Sequence, residues 1–355
     1  MNKIRIGKKL IGLDQPLYFI ADIGANHDGS LERAYKLIEL AKKAGADAAK
    51  FQNFQASKIV SKYGFDNLGG QLSHQANWKK SVFEIYQDAS ISFDWTAKLK
   101  EKCNEVGIDY FTSPYDIESI DHVDPFVDVY KIGSGDITWI EIIEYIAGKK
   151  KPVLLATGAA DAEDVERAMN AVRKYTNEIV LMQCNTNYTL DREKIKYVNL
   201  NVLKYFQQKY PGVVLGLSDH TLGHATVVGA VALGATIFEK HFTDDNRHEG
   251  PDHKFAMNPA TWREMVDRSY EVYYALGDGI KRVEDNEKQS LVVQQRCLRA
   301  TKKLAVGHVI TKDDLEVLRP IPEGGIRPFE INKLINKTMI NDLEQGKHIT
   351  WKDIK

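Results

Sequence analysis

Two histidines, His220 and His241, stand at the ends of the apolar runs VVLGLSDH and ATIFEKHF. If these runs are neighbouring parallel strands, they lie about 5 Å apart and present both imidazoles at one edge of a sheet. Two imidazoles with Asp219 and Glu239 nearby suit Mn²⁺, Mg²⁺, Fe²⁺ or Co²⁺, with positions left open for substrate oxygen. A pair of hydrogen-bonded histidines at a rim is the alternative.

Two lysines, Lys50 and Lys131, lie inside otherwise apolar runs. Because a buried ammonium group needs a polar cavity or a charged partner, a phosphate with a carboxylate is the expected occupant. Ser134, between two glycines, and Ser218 can add donors to such an anion. A buried lysine such as Lys131 can instead form a Schiff base, as in aldolases.

Two further residues, Cys184 and Tyr188, lie within and just after the sixth apolar run, which ends near Asn185. Cys184 has no histidine near it in sequence, so we expect it in the core. Tyr188 either lines a substrate pocket or caps the end of the fold.

The elements that position these residues are short apolar runs that alternate with segments of helical periodicity. This pattern predicts parallel βα units. Eight runs occur by residue 242, which favours a closed (β/α)8 TIM barrel, and polar residues crowd their C-terminal ends, where barrel enzymes place their chemistry. The predicted strands are 17–24, 48–54, 108–114, 127–135, 152–158, 178–185, 213–220 and 235–242.

Composition limits the classes of protein that the chain can represent. Its 355 residues carry 48 Lys and Arg against 49 Asp and Glu, so no net field attracts nucleic acid or an anionic membrane. Three widely spaced cysteines fit a reducing compartment. No run approaches a membrane span and the start lacks an apolar signal core, so we expect a cytoplasmic protein.

The pattern changes after the barrel runs, and it predicts two domains. We expect a catalytic barrel at 1–279, a linker helix at 280–294 and a small domain at 295–355. The longest gap between predicted strands runs from Phe54 to Ile108, and in it a polar stretch precedes a predicted helix near Phe83. Insertions of this kind usually cover substrate.

An ordered set of motifs resembles the sialic acid (N-acetylneuraminate) synthase family. The motifs are IADIGANHDGSLERA, AGADAAKFQNF, YFTSPYD, YKIGSGD, LLATGAA, GLSDHTLG, ALGATIFEKHFTDD and GPDHKFAMNP. The tail resembles the small antifreeze-like (SAF) domain of that family, so the resemblance covers nearly the whole chain. It implies a barrel enzyme that condenses phosphoenolpyruvate with an N-acetylmannosamine-like amino sugar to a nine-carbon 2-keto acid, with release of phosphate.

The resemblance also implies roles for individual residues. His220 and His241 would bind the divalent metal, with Mn²⁺ the first expectation and Mg²⁺ or Co²⁺ the others. Asp22 would be catalytic together with the two lysines. Arg319 would reach into the barrel of the partner in a homodimer. The implied substrate-binding residues are Lys50, Gln52, Asn77, Ser113, Lys131, Ser134, Asp136, Thr186, Tyr188, Ser218, Asp252 and Arg319.

Several positions depart from the family pattern. Asp22 and Asp136 stand where Glu is common, Ser113 where Thr is usual, and Ala156 replaces a small hydroxyl residue. Thr186 stands where Asn or Ser is common. A carboxylate shortened by one methylene moves by roughly 1 Å, which is enough to alter positioning. These departures bear on the identity of the sugar more than on the reaction.

Three other functions remain open on the sequence. One is a legionaminic or pseudaminic acid synthase that acts on a diacetamido-trideoxyhexose. Another is a metal-free pyruvate aldolase with Lys131 as its Schiff base, and the third is a non-catalytic sugar-binding protein on a decayed barrel. The retained His220, His241, Lys50 and Lys131 argue against decay.

Overall fold

A computed structural model of the protein describes residues 3–69, 75, 78–188 and 192–355. The chain divides into two compact units, residues 1–277 and 278–355. The division falls two residues before the predicted end of the first domain. The segment predicted as a linker belongs to the second unit.

The first unit is the predicted barrel. It opens with an antiparallel hairpin, β1 (Ile4–Ile6) and β2 (Lys9–Ile11). Eight parallel strands follow in one sheet, in the spatial order β5-β4-β3-β10-β9-β8-β7-β6. β5 and β6, at the two ends of this order, lie side by side, so the barrel is nearly closed. The strands are β3 (Tyr18–Asp22), β4 (Ala48–Asn53), β5 (Asp109–Pro114), β6 (Tyr130–Ile132), β7 (Val153–Ala156), β8 (Ile179–Cys184), β9 (Val214–Asp219) and β10 (Ile237–His241).

Helices follow the strands and form the outer layer. Local signals set their ends: Ser30 accepts a hydrogen bond from the Arg33 amide at the start of α1, and Gly45 ends it with φ of 97°. The helices are α1 (Leu31–Ala44), α2 (Ala56–Ile59), α3 (Lys62–Asp66), α4 (Val82–Ala89), α5 (Phe93–Val106), α6 (Ile117–Val123), α7 (Ile140–Gly148), α8 (Ala162–Arg173), α9 (Val202–Lys209), α10 (Ala225–Ala232) and α11 (Pro259–Ala275). The predicted helix near Phe83 is α4.

Two apolar cores hold the barrel together. The larger lies between strands and helices, and the smaller fills the interior of the barrel at its N-terminal end. Ile4, Ile6 and Ile11 of the hairpin close that end from below, against inward residues such as Phe111 and Leu154. The interior is therefore packed at one end, which leaves the C-terminal end for polar side chains.

The second unit has its own small core. It contains α12 (Lys288–Gln294), the antiparallel pair β11 (Cys297–Ala300) and β12 (Leu315–Leu318), and α13 (Ile331–Leu334). Buried residues of this core include Leu298, Leu304, Leu334, Leu343 and Ile349. Across both units, none of the described helices is long and apolar enough to span a membrane.

Candidate active site

The C-terminal end of the barrel brings together side chains from five strands. β3 contributes Asp22, β4 Lys50, β6 Lys131, β9 Ser218, and β10 both Glu239 and His241. The parallel register sets Asp22 directly beside Lys50 on one side and beside His241 on the other. All six residues are buried. A cluster of charges this deep indicates a site for a charged ligand.

Asp22 and Lys50 form a buried ion pair. Their Oδ2 and Nζ atoms lie 2.7 Å apart. Gln52 Nε2 donates to the same carboxylate oxygen at 3.2 Å, and the Gly24 amide donates to Oδ1 at 3.0 Å. Burial opposes the charged form of Lys50, but Asp22 and Glu239 outweigh it and raise the pKa of the ammonium group. Lys50 is therefore charged at neutral pH.

Glu239 lies between the two lysines. Its Oε1 is 3.2 Å from Lys131 Nζ and 3.8 Å from Lys50 Nζ, and Ser218 Oγ donates to it at 3.3 Å. Burial would raise the pKa of this carboxyl, but the two lysines lower it to about 2. Its Oε2 is buried and has no hydrogen-bond partner among the described residues. One carboxylate oxygen is thus left for a ligand or water.

From the sequence, Glu239 and Asp219 are expected as neighbours of a metal, and Glu239 is not among the predicted substrate-binding residues. Glu239 instead organises the lysines. The expectation for Asp219 was wrong, because its side chain pairs with Lys240, Thr221 and Thr226. Strand alternation explains both results. Glu239 and His241 share the inner face of β10, and on β9 Ser218 faces inward to Glu239 while the next residue, Asp219, faces outward. That periodicity was the available signal.

The imidazoles of His220 and His241 approach each other, with ring centroids 5.6 Å apart. His220 Nδ1 lies 3.3 Å from the Asn185 carbonyl oxygen, the arrangement in which histidine presents Nε2 to a metal. Burial and His241 lower the pKa of His220 to about 3, so its ring is neutral, as a metal ligand must be.

His241 has carboxylates on both sides. Its Nε2 lies 3.6 Å from Asp22 Oδ2 and its Nδ1 3.4 Å from Asp252 Oδ2. Burial lowers its pKa, but Asp252 and Asp22 prevail and raise it. No group of three or more His, Cys, Asp or Glu side chains forms a metal cage within the described ranges. Two neighbouring imidazoles flanked by carboxylates fit a divalent cation, which would take the place of the proton that Asp22 and Asp252 favour on His241.

An aromatic wall stands beside the histidines. The ring of Tyr188 meets His220 edge-on at 4.4 Å between centroids and lies 5.1 Å from Phe255, which also packs on His241 at 5.0 Å. Tyr188 therefore lines the site. Cys184 is buried, as predicted, yet its Sγ lies 3.9 Å from His220 Nδ1, so this part of the core touches the site. Phe255 was missed because one aromatic residue in a loop carries no periodic signal.

Ser134 and Asp136 come from a short 3-10 turn, Ser134–Asp136, that follows β6. Ser134 Oγ accepts a hydrogen bond from the Gly158 amide at 3.0 Å. Burial raises the pKa of Asp136 to about 6, and Lys131 offsets part of the rise. Ser113 in β5 is buried, and no described residue hydrogen-bonds its Oγ. The Asp136 carboxyl thus lies within the electrostatic influence of Lys131, and Ser113, the register partner of Gln52, retains an unused hydroxyl group.

Other predicted positions differ in how they relate to this site. Asp252 Oδ2 accepts a hydrogen bond from the Ala25 amide at 3.1 Å, which fixes it next to His241. Thr186 Oγ1 lies 3.9 Å from Cys184 Sγ. Asn77 lies outside the described residues. Arg319 is exposed and directly follows β12 of the second unit.

Comparison with known proteins identifies the family. Residues 37–281 match the model of the NeuB family, and residues 295–355 match the SAF domain. The N,N'-diacetyllegionaminic acid synthase of Legionella pneumophila is 32% identical over 98% of each chain. The pseudaminic acid synthase of Campylobacter jejuni is 32% identical over 96% of this chain and 98% of its own.

A solved structure agrees with these relatives. The crystal structure of the N-acetylneuraminic acid synthetase from Leptospira borgpetersenii, in complex with citrate, aligns with a TM-score of 0.72 and 27% identity. The alignment covers 82% of this chain and 95% of that one. The family model spans well over half of the sequence, and the SAF match accounts for its tail. The chain therefore belongs to the NeuB family and carries a SAF domain.

Proposed function

We propose that this protein is a nonulosonic acid synthase, which condenses phosphoenolpyruvate with an N-acetylmannosamine-like amino sugar in its open-chain form. The product is a nine-carbon 2-keto-3-deoxy acid, and inorganic phosphate leaves. The observation that carries the proposal is the pair of buried lysines, Lys50 and Lys131, beside two imidazoles at the C-terminal end of the barrel. Relatives named as legionaminic and pseudaminic acid synthases support it.

The lysines would bind the phosphate and carboxylate of phosphoenolpyruvate. Ser113, Ser134 and Ser218 would add hydroxyl donors. Asp22 and Glu239 already balance the two ammonium groups, so neutralising a trianion calls for additional positive charge. A divalent ion between the histidines meets this need, which supports the proposed metal dependence. Mn²⁺ is our first candidate, followed by Mg²⁺ and Co²⁺.

His220 and His241 would hold the ion next to the aldehyde of the sugar. When bound, the ion supplies polarisation of the aldehyde oxygen. Tyr188 and Asp252 flank the same histidines and would orient the sugar chain, together with Gln52, Asp136 and Thr186. Asn77 would also contact the sugar. Holding C1 of the sugar against C3 of phosphoenolpyruvate makes the bimolecular reaction effectively unimolecular.

The condensation forms one carbon–carbon bond, and at C2 the oxygen of a water molecule replaces the oxygen of the leaving phosphate. C3 of phosphoenolpyruvate attacks the aldehyde carbon, and the aldehyde oxygen becomes a hydroxyl group. Water adds at C2, the bond from C2 to the phosphate oxygen breaks, and C2 becomes a ketone. Asp22 would orient this water and accept its proton, because its carboxylate lies 2.7 Å from Nζ of Lys50, one of the two lysines that would bind phosphoenolpyruvate.

The sugar is best identified by assay. Phosphate release from phosphoenolpyruvate should be measured against N-acetylmannosamine, its 6-phosphate and the 2,4-diacetamido-trideoxyhexoses that give legionaminic and pseudaminic acids, and each product should be weighed by mass spectrometry. We expect acceptor-dependent release and a nine-carbon keto acid. A diacetamido product would identify a legionaminic or pseudaminic acid synthase, the alternative within the family. Phosphate release at the same rate with and without every acceptor would overturn the proposal.

The proposal includes a homodimer in the cytoplasm. Three free, buried cysteines fit a reducing compartment. Arg319 would complete the sugar site of the partner's barrel. Arg319→Ala should then dimerise but bind the sugar poorly, and mixing it with Lys131→Ala should restore part of the activity. If the subunits exchange and no activity returns, Arg319 does not complete the sugar site of the partner's barrel.

A further inference from the structure

Directly behind the two imidazoles lies a buried ion pair that the proposed reaction does not use. Lys240 and Asp219 are partners in the register of β10 and β9. Their side chains are 1% and 2% exposed and are in direct contact. Each precedes one of the two histidines in sequence. Because alternate side chains point to opposite faces of a strand, the pair lies on the outer face of the barrel while His241 faces its interior.

The hydrogen bonds of this pair converge on the turn that follows His220. The Asp219 carboxylate accepts from the Thr221 amide at 3.2 Å, from Thr221 Oγ1 at 2.9 Å and from Thr226 Oγ1 at 2.7 Å. Lys240 Nζ donates to the Thr221 carbonyl oxygen at 2.6 Å. Asp219 and Lys240 thus hold the backbone on both sides of His220. Lys240 itself directly precedes His241 on β10.

Stability alone does not account for such an arrangement. A buried ion pair can often be replaced by neutral residues of similar size without loss of stability, since the desolvation of two charges offsets their attraction. An apolar pair of similar size would not form the directional hydrogen bonds that orient the neighbouring backbone. The shared hydrogen bonds of Lys240 and Asp219 allow one orientation of the 219–221 backbone relative to β10.

We propose that Lys240 and Asp219 are positioning residues, which set the spacing of His220 and His241 for a divalent ion. This inference rests on the metal dependence in the proposed function. Outer residues that orient metal-binding histidines typically change metal affinity 10- to 100-fold when they are replaced. The pair would act through the backbone of two adjacent strands, without touching the ion or the substrate.

The test is the double variant Asp219→Asn/Lys240→Met, which keeps the shapes and leaves no unpaired buried charge. Mn²⁺ binding to the full chain without substrate should be titrated by electron paramagnetic resonance, alongside thermal unfolding. We expect the Kd for Mn²⁺ to rise by about tenfold or more, and turnover to recover as Mn²⁺ is added. A merely structural pair would shift the unfolding temperature and leave the Kd unchanged.

Two further variants keep the outcome decisive. Thr226→Val removes one hydroxyl donor to Asp219 without any change of charge, so it disturbs folding less than the double variant, and it should weaken Mn²⁺ binding to a smaller degree. The matched control is Asp116→Asn, a buried carboxylate that accepts from the Ser119 amide after β5, away from the histidines; its Kd should equal that of the wild type.

The wild-type titration separates the two claims. If the wild type binds no Mn²⁺ and works without metal, the metal role in the proposed function fails, and the positioning role fails with it. If the wild type binds Mn²⁺ and both the double variant and Thr226→Val bind it equally well, only the positioning role is overturned.

Discussion

The two ends of the barrel interior bury opposite kinds of side chain. The N-terminal end is filled by apolar residues, with Ile4 and Ile6 of the hairpin packed under Phe111 and Leu154. The C-terminal end buries two lysines, two carboxylates and two histidines at similar depth. The first end needs only shape to be stable, whereas the second is stable only through its charge pairs. The N-terminal end of the barrel therefore contributes mainly to stability, and the C-terminal end carries the chemistry.

The polar end also retains unmet bonding capacity. Among the described residues, Ser113 Oγ and Glu239 Oε2 are buried without hydrogen-bond partners. A buried polar atom of this kind costs free energy until a ligand or water bonds to it. Substitutions at the polar C-terminal end should consequently affect activity, and substitutions at the apolar N-terminal end should affect stability.

The largest expected effect comes from the histidines. EDTA should abolish phosphate release, and Mn²⁺, Mg²⁺ or Co²⁺ should restore it, because His220 and His241 would hold the ion. His241→Ala should lose activity at ordinary metal concentrations while it remains folded, as checked by circular dichroism. His248→Ala, an exposed histidine in a loop, serves as the control. Full activity in EDTA would favour the aldolase with Lys131 as its Schiff base, which borohydride trapping with pyruvate would detect.

The next effect concerns Asp22. If its carboxylate prepares the attacking water, Asp22→Asn should lower kcat by on the order of 10²-fold or more, with little change in the binding of phosphoenolpyruvate. A purely structural ion pair with Lys50 would instead cost about 3–5 kcal/mol of stability. Measuring kcat and the thermal midpoint in the same variant distinguishes them. Near-normal turnover would exclude the catalytic role.

Asp22→Glu sharpens that result, since it introduces the residue common in the family. If the shorter side chain matches a different sugar, this variant should change the order of preference among acceptors. A uniform gain in activity with every sugar would show that the shorter side chain serves no selective purpose.

A smaller, pH-dependent effect is expected at Asp136, whose pKa burial raises to about 6. Because the folded-state pKa lies above the ordinary value, protonation favours the folded state, and this part of the stability is lost as pH rises from about 4 through 6. In the proposed function Asp136 would accept hydrogen bonds from the sugar in its ionised form, and this form is lost as pH falls through 6. KM for the sugar should therefore rise below pH 6, several-fold by pH 5, and Asp136→Asn should flatten this limb. An unchanged limb in the variant would assign it to another group.

The smallest effect on activity is expected at the apolar end. Leu154→Ala should destabilise the protein by about 2–5 kcal/mol, because it leaves a cavity in a closely packed interior. KM and kcat should stay within about twofold at temperatures where the variant is folded. A large loss of kcat without a loss of stability would show that the two ends are not separable.

Much of this organisation was predictable from sequence. Each of the eight predicted strands overlaps an observed strand, because short apolar runs between turn residues carry a strong local signal. The convergence of Lys50, Lys131, His220 and His241 followed from their places at strand ends. These features depend on local pattern and on the shared direction of parallel strands.

The partners within the site were not predictable in the same way. That Glu239 bridges two lysines, and that Asp219 turns outward to Lys240, depends on which strands are neighbours and which face each residue occupies. Phe255 and Asp252 reach the histidines from a loop with no periodicity. Such contacts arise from tertiary packing, which a single sequence encodes only indirectly.

The central claim, that the polar end joins phosphoenolpyruvate to a sugar through addition of water at C2, is tested most directly with an isotope. The reaction should be run in water enriched in ¹⁸O with an accepted amino sugar, and the released phosphate analysed by mass spectrometry. Cleavage of the carbon–oxygen bond predicts unlabelled phosphate, formed only when the sugar is present. Phosphate that carries ¹⁸O would mean hydrolysis at phosphorus, and phosphate that appears at the same rate without a sugar would mean release uncoupled from condensation; either result would contradict the account.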